Sequence, residues 1–310
     1  MARPPKLALP LRDGVAASAL ACPPGPWPRV LDFLAERLPL VPREDWAARM
    51  ARGDVLDDTG EPLAPDAPYR AQRRLYYWRW LADEPEVPFA SRILHVDAHL
   101  LVADKPHFLP VTPKGRYVQQ TLLTRLRRET GLADLSPIHR LDRETAGLTL
   151  FSTQAATRDA YQRLFRERDV EKVYEAIAPW LDDVGERLPF EQASRLEEHP
   201  VDFMQMRTVD GEPNALTRIA LLARLDEGRA HYELRPRTGV KHQLRAQLCA
   251  LGLPIENDRI YPVLQPVEDE VDFTRPLQLL AREVAFTDPL DGRPRRFVTS
   301  LALAGLVATR

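Results

Sequence analysis

No apolar run in the chain approaches the eighteen or so residues that a membrane-spanning helix needs, so no transmembrane segment is expected. The opening stretch MARPPKLALPLRDGVAASAL has some basic and apolar character. Arg12 and Asp13 interrupt it before a continuous apolar region forms, and no secretory leader is read. Cysteine is scarce. Cys22 and Cys249 are far apart and could pair only by accident of the fold, so a reduced, cytoplasmic protein is the simpler expectation. Neither sign of charge dominates: 43 Lys and Arg against 45 Asp and Glu leave a net charge of −2. The molecule as a whole is no polycation, and nucleic-acid binding would have to come from local basic patches. His139 and His242 are isolated, with no His or Cys at metal-ligand spacing, which argues against a metal site. No P-loop and no GxGxxG opens a helix after a strand, so no nucleotide cofactor is expected. No internal repeat is found.

What is there is an ordinary globular composition, 44% hydrophobic and 28% charged over 310 residues. That length suits a large domain with a small one, or two medium ones. Residues 1–26 are rich in Pro and Ala and are expected to be poorly ordered. From Trp27 the chain reads as a compact module over residues 27–85, with Val30, Phe33, Leu34 and Leu38 at helical spacing and a second short helix from about Arg43 to Ala51. EPEVPFA marks a boundary, and residues 86–310 are expected to form a second, self-standing domain. There, ILHVDAHLLVADKP predicts two short strands about a turn at Asp97 and Ala98, and RYVQQTLLTRLRRETG a helix stopped by Gly131. A strand at TLFS precedes a helix that Ser152 or Thr153 could cap. VEKVYEAIAPW, and the two halves of EPNALTRIALLARLDEGRAHYELRPRTG, predict further strands. VKHQLRAQLCALG predicts a helix, and Asp291-Gly292 a hairpin. Strands outnumber helices without alternating with them. The expected class is α+β, with a large mixed, mostly antiparallel sheet, flanking helices and a small N-terminal α/β module.

The chemistry concentrates in SPIHRLDRETAGLTLFS. Asp142 lies between Arg140 and Arg143, just ahead of a buried strand. A lone aspartate among arginines is most often a structural ion pair. The functional reading is a carboxylate kept ionised by its neighbours, competent as nucleophile or base. Glu144 is the one further carboxylate nearby, and no second carboxylate stands at a spacing that would suggest a glycosidase-type pair. Basic residues gather twice: Lys114, Arg116, Arg125, Arg127, Arg128, Arg140 and Arg143, then Arg235, Arg237, Lys241, Arg245 and Arg259. Each could be a solvated face. Two clusters about one carboxylate motif point instead to a cleft that faces a polyanion.

HRLDRETAGL resembles the signature HRLDRxTSGL of the RluA-type pseudouridine synthases, with Ala146 in place of the usual serine. VDAHLLVADKP is similar to the early strand pair that ends in Lys105-Pro106 in that family. VEKVYEAI resembles its K-x-Y-x-A segment and supplies Tyr174, and RTGVKHQLRAQLCALGLPIENDRIY resembles TGRxHQIRxHLxxxGxPIxGDxxYG. The resemblance runs from about residue 91 to near the C-terminus. Residues 27–80 resemble a diverged form of a small RNA-binding domain, shared with a ribosomal small-subunit protein and often fused to these enzymes. The departures are Val240 for the arginine of TGR, Lys241 after it, Gln247 for a histidine, Asn257 for a glycine, and the absence of the usual Asn-Gly turn in DDTGEPL. The resemblance implies isomerisation of uridine to pseudouridine within RNA, rRNA or tRNA, by a monomer that needs neither cofactor nor metal. It implies Asp142 as catalytic carboxylate, Arg140 as the group that helps extrude the base and fill its place, and Tyr174 stacked on the flipped uracil. Leu244 would pack beneath the base and Arg245 would pair with Asp142. The alternative is a non-catalytic RNA-binding or ribosome-associated protein on the same fold. A pure binder has no need of an ionised carboxylate facing a polyanion.

Overall fold

The structure is a computed structural model that describes residues 7–81, 83–266 and 270–307. It divides into two compact units. The first comprises Met1–Pro85, Gly115–Gln119 and Thr124–Ala133, and the second Glu86–Lys114, Gln120–Leu123 and Asp134–Arg310.

In the first unit, β1 (Ser18–Ala21), β2 (Val55–Leu56) and β3 (Arg74–Tyr77) form an antiparallel sheet in the order β1-β3-β2. The helices α1 (Val30–Arg37) and α2 (Arg43–Ala51) supply Phe33, Leu34 and Trp46, all fully buried, and Trp46 meets Tyr77 edge to face at 5.2 Å. Residues 7–26 depart from the expected disorder. Leu20 pairs with Leu75 in the sheet, Cys22 is buried in the core, and the Leu7 amide donates to the Tyr76 hydroxyl. The Pro- and Ala-rich composition hid an edge strand whose apolar side chains have a partner only once β3 is in place. Residues 1–6 lie outside the described residues.

The second unit is built on β4 (Arg92–Val96), β5 (Leu100–Lys105), β6 (Ser136–Pro137), β7 (Ala146–Ser152), β8 (Glu171–Pro179), β9 (Phe190–Glu198), β10 (Met206–Val209), β11 (Ala215–Arg224), β12 (Arg229–Pro236), β13 (Leu279–Thr287) and β14 (Pro294–Val298). The eleven strands run β10-β9-β11-β12-β8-β13-β7-β5-β4, with β14 on β13 and β6 on β7. The pairing of β13 with β7 is parallel and the other pairs are antiparallel. The helices are α3 (Leu122–Thr130), α4 (Arg158–Glu167), α5 (Asp182–Gly185), α6 (Gln243–Ala250) and α7 (Ala304–Val307). Leu122 and Leu123 of α3 belong to this unit and the rest of the helix to the first. None of the described helices is long and apolar enough to cross a membrane.

Two apolar clusters frame the part of the sheet that carries the motif. Leu244 and Leu248 of α6 pack with Ala176, Tyr232, Leu234 and Leu279, while Tyr161 of α4 packs with Leu100, Val102, Leu148 and Leu150. Several expected elements shift at their ends. The helix expected from Arg116 begins at Leu122, whose amide is taken by the Pro110 carbonyl, and it stops at Gly131, where φ is +72°. Ser152 does not cap the next helix. Its hydroxyl donates to the Gln154 carbonyl, and α4 starts six residues on, at Arg158. The hairpin of β9 and β10 carried no clear sequence signal. Along its charged run RLEEH, Leu196 is buried in the core while Glu198 is exposed.

Candidate active site

The motif HRLDRE has no regular structure. It is the loop by which the chain enters β7. Gly147 fixes where that strand can lie. Its φ is +111°, and a Cβ there would stand 2.3 Å from the Ala281 carbonyl oxygen on the parallel strand β13. Ala281 is opposite Gly147 on one side and Tyr174 of β8 on the other. This register brings the tyrosine to the end of the sheet from which the loop emerges.

Lys105, fully buried at the end of β5, donates from Nζ to the carbonyls of Pro106, Leu109 and Arg143, at 3.0, 2.8 and 2.9 Å. His107 Nδ1 donates to the Glu144 carbonyl at 2.6 Å. The backbone just after Asp142 is thereby tied to the segment that follows β5. Burial pulls the Lys105 amine down to about 7, against the opposing charges of Glu144 and Asp142. Burial likewise holds His107 at about 4, so the ring is neutral. His139 is neutral for the same reason, held at about 3 by burial and then by Lys172. Its Nε2 accepts the Leu150 amide while the ring stacks on Phe165 at 4.5 Å.

The arginines that flank Asp142 in sequence do not pair with it. Arg143 bonds Glu144 at 2.7 Å. Arg140 is exposed and makes no hydrogen bond or ion pair among the described residues. The cation that faces Asp142 comes from α6: Arg245 Nη1 lies 3.3 Å from Asp142 Oδ2. Arg245 is 1% exposed, and Asp258 grips it in a bidentate pair at 2.8 and 2.6 Å. Asp258 Oδ1 also accepts the amides of Ile260 and Tyr261. Burial works against the guanidinium charge. The Asp258 bonds and the Asp258, Asp142 and Glu144 carboxylates outweigh it and raise Arg245 above its usual range. The Asp142 side chain is 33% exposed, so one anchored carboxylate meets solvent. His242 Nε2 stands 3.7 Å from its other oxygen.

Tyr174 is half-buried and packs against the cluster that holds Leu244. Burial, then the Asp142 charge, push its phenol well above the usual range and keep it neutral. The structure therefore brings Asp142, Tyr174, Leu244 and Arg245 into one unit and leaves Arg140 free at the rim. The two basic clusters are changed more. Arg116, Arg125, Arg127 and Arg128 fall in the other unit. Of the second cluster, Arg235 pairs with Glu233, Arg237 with Glu191 and Lys241 with Glu198, so most of its charge is already matched.

Sequence reasoning missed Asp258, His242, Tyr261, His107 and the part played by Lys105. Four of these stand inside quoted motifs, and a buried arginine demands an acidic partner. The distance from 245 to 258 could not be read without the turn between them. The departures from the family pattern have local explanations. Asn257 adopts φ +63°, which asparagine tolerates best after glycine, and donates to the Pro276 carbonyl. Gln247, 1% exposed, accepts from the Thr217 hydroxyl and donates to Ser194 Oγ and to the carbonyls of Gln192 and Ala215, pinning α6 to β9 and β11. Ala146 is buried opposite Leu280, where a hydroxyl would need a partner. Val240 packs with Ile260 and Ala246, and Lys241 donates to the Phe203 carbonyl.

Known proteins resemble this chain in sequence and in fold. The family described as RNA pseudouridylate synthase matches residues 99–250. The "uncharacterized RNA pseudouridine synthase" of Synechocystis sp. is 35% identical over 234 residues, which cover 75% of this chain and 79% of that one. The dual-specificity RNA pseudouridine synthase RluA of Haemophilus influenzae is 33% identical over 213 residues, 66% of this chain and 90% of its own. Among solved structures, human RNA pseudouridylate synthase domain containing 4 superposes with a TM-score of 0.51 at 27% identity, over 70% of this chain and 90% of that one. Human RNA pseudouridylate synthase domain containing 1, at 22% identity and a TM-score of 0.55 over 71% and 86%, shows the same fold. This chain belongs to the RNA pseudouridylate synthase family.

Proposed function

We propose that Asp142 is the catalytic carboxylate of this synthase and that its substrate is a uridine in structured rRNA or tRNA, isomerised by a monomeric enzyme. The observation that carries the reading is a partly exposed carboxylate held by a buried guanidinium, Asp142 on Arg245 at 3.3 Å. The reaction breaks the bond from the ribose to N1 of uracil, turns the base and forms the bond to carbon 5. Carbon 5 gives up a proton and N1 gains one. Asp142 serves either as nucleophile at the sugar or as base on a sugar proton, and both need its charged form. Arg245, fixed by Asp258, meets the carboxylate without rearrangement.

The base must leave its stack to reach Asp142. Arg140, exposed and unpaired among the described residues, is free to fill the gap. Tyr174 offers a neutral aromatic face for the extruded uracil, and Leu244 the apolar floor beneath it. Asp142→Asn is expected to keep the shape of the site and to abolish pseudouridine formation while RNA binding persists. The assay is release of tritium from RNA labelled at uridine carbon 5, beside a binding measurement. A variant that turns over at near the parental rate would remove Asp142 from the reaction.

A further inference from the structure

His242 has three features that the proposed roles of Asp142 and Arg245 leave unexplained. Its backbone is in the left-handed region at φ +51°, a conformation that costs a histidine free energy and persists only where the surroundings impose it. Its side chain is 8% exposed, with Nε2 3.7 Å from Asp142 Oδ1, the oxygen that Arg245 does not bond. Its Nδ1 meets the Tyr261 hydroxyl at 3.3 Å. That hydroxyl accepts the Met206 amide at 2.6 Å, and its own proton is available to Nδ1. Gln205, next to Met206, donates to the Ile260 carbonyl, so the start of β10 and the 260–261 turn are bonded twice. Tyr261 and His242 meet edge to face, with ring centroids 5.9 Å apart.

We propose that His242 is a positioning residue for Asp142, with Tyr261 selecting the tautomer that aims an Nε2–H at the free carboxylate oxygen. The inference rests on Asp142 being the catalytic carboxylate. A hydroxyl that donates to Nδ1 leaves the proton of a neutral imidazole on Nε2. Burial first, and Arg245 and Lys241 after it, hold the imidazole below its usual range, against the pull of Asp142 and Asp258. The ring is therefore a neutral donor and brings no second cation to the site. The gap of 3.7 Å is longer than a hydrogen bond, and distances of this kind close when the substrate is bound. Arg245 on one oxygen and His242 on the other would fix the carboxylate plane towards the sugar. The other groups acting on Asp142 are Lys105 from β5, Tyr174 from β8 and Tyr261 from the turn after Asp258. Burial pushes Tyr261 up to about 12, so its proton stays in place across the working range of the enzyme.

The test is the pH profile of kcat for tritium release, measured on RNA from cells that lack the gene, labelled at uridine carbon 5. His242→Leu removes a donor to the charged carboxylate, so the acid limb should move up by about one pH unit and kcat should fall on the order of tenfold to a hundredfold. His242→Gln places an amide N–H near the position of Nε2 and should keep the limb and most of the rate. Tyr261→Phe keeps the ring and loses the hydroxyl, and should move the limb in the same direction as His242→Leu, by less. A residue that merely supports the fold would lower the rate of every variant without moving the limb, and that result overturns the proposal. If His242→Leu does not fold, Tyr261→Phe decides: an unchanged limb and rate in the folded protein overturn the proposal as well. Asp142→Asn run beside these separates the two readings. If it is active, both fall. If it is inactive and the limb does not move, the role of His242 alone falls.

Discussion

Arg245 stands between two carboxylates of unequal standing. Asp258 is as buried as the arginine, 1% exposed, and takes two of its nitrogens, while Asp142 takes the third and reaches solvent. Breaking a buried pair by removing one partner leaves an uncompensated charge, so Arg245→Leu is expected to lose about 3–5 kcal/mol of stability as well as its activity. Arg237, exposed and paired with Glu191 at the surface, should lose under about 1 kcal/mol when changed to Leu, with activity near the parental level. Urea unfolding and tritium release on both variants check this, and equal stability of the two would remove the structural half of the Arg245 role. Arg245→Lys keeps the charge and loses the fork. It should fold better than the leucine variant and still lose rate, because an ammonium cannot hold Asp258 bidentate and reach Asp142 together. The arginines beside Asp142 in the sequence suggested a local source for its charge balance. The source is instead 103 residues away. What local sequence does supply is the opposite arrangement: Arg143 consumed by Glu144, and Arg140 left free at the surface.

At the scale of the element, the site depends on where β7 starts. Gly147 permits β7 and β13 to run side by side at the point where the motif loop ends, because its φ of +111° and its missing Cβ both suit the close approach of Ala281. Gly147→Ala would place a methyl 2.3 Å from a backbone oxygen that belongs to a central strand and cannot turn away. The expected outcome is a loss of several kcal/mol, from strain at φ and from separation of the two strands. Gly115→Ala is the control. It has φ +57° and nothing within 4 Å, so it should show only the smaller backbone cost. Thermal melts of the two variants check the difference, and a Gly147→Ala melt as mild as the Gly115 variant would mean that β7 can shift at little cost. Helix α6 is secured in a different way. Gln247 ties it to β9 and β11 through four hydrogen bonds, so the polar residue that departs from the family histidine still fills its buried place with every donor and acceptor matched.

For the whole molecule, the division into units changes what a shortened chain should do. The boundary EPEVPFA suggested that residues from Glu86 onward would stand alone. The first unit, however, also takes in Gly115–Gln119 and Thr124–Ala133. The Glu84 carboxylate accepts the amides of Val118 and Gln119 at 2.6 and 2.8 Å, and Gly14 lies against the Thr124 carbonyl with no room for a Cβ. A chain that starts at Glu86 loses all of these partners. Its melting temperature should fall by roughly 5–10 °C, from the lost hydrogen bonds and exposed apolar surface, and protease should cut first within 115–133. We propose that the first unit also binds RNA. The shortened chain should then bind more weakly and with a flatter salt dependence. Its share is limited by its own ion pairs, since Arg12, Arg43, Arg52 and Arg73 already face Asp54, Asp32 and Asp58. A shortened chain that melts as the full one does and resists protease would restore the independent-domain reading.

The sequence by itself determined the class of fold and the family, and it marked out the candidate site. Alternation and turn residues mark β4, β5, β11, β12, β13 and β14 without reference to anything distant, because side-chain period and turn geometry are local properties of the backbone. A ten-residue motif likewise needs no fold to be recognised. Tertiary structure decided which charges meet. Asp142, Arg245 and Asp258 come from a loop, a helix and a turn, and no periodicity links positions 142, 245 and 258. It decided that most of the second basic cluster is spent on carboxylates, and that residues 7–26 are ordered, because an edge strand such as β1 acquires its hydrogen bonds only from β3, more than fifty residues on. It also made His242 a partner of Asp142. The left-handed turn ahead of α6 and the Tyr261 hydroxyl aim its ring, and both exist only in the folded chain, where the energy of an electrostatic contact depends on distance and burial rather than on order in the sequence.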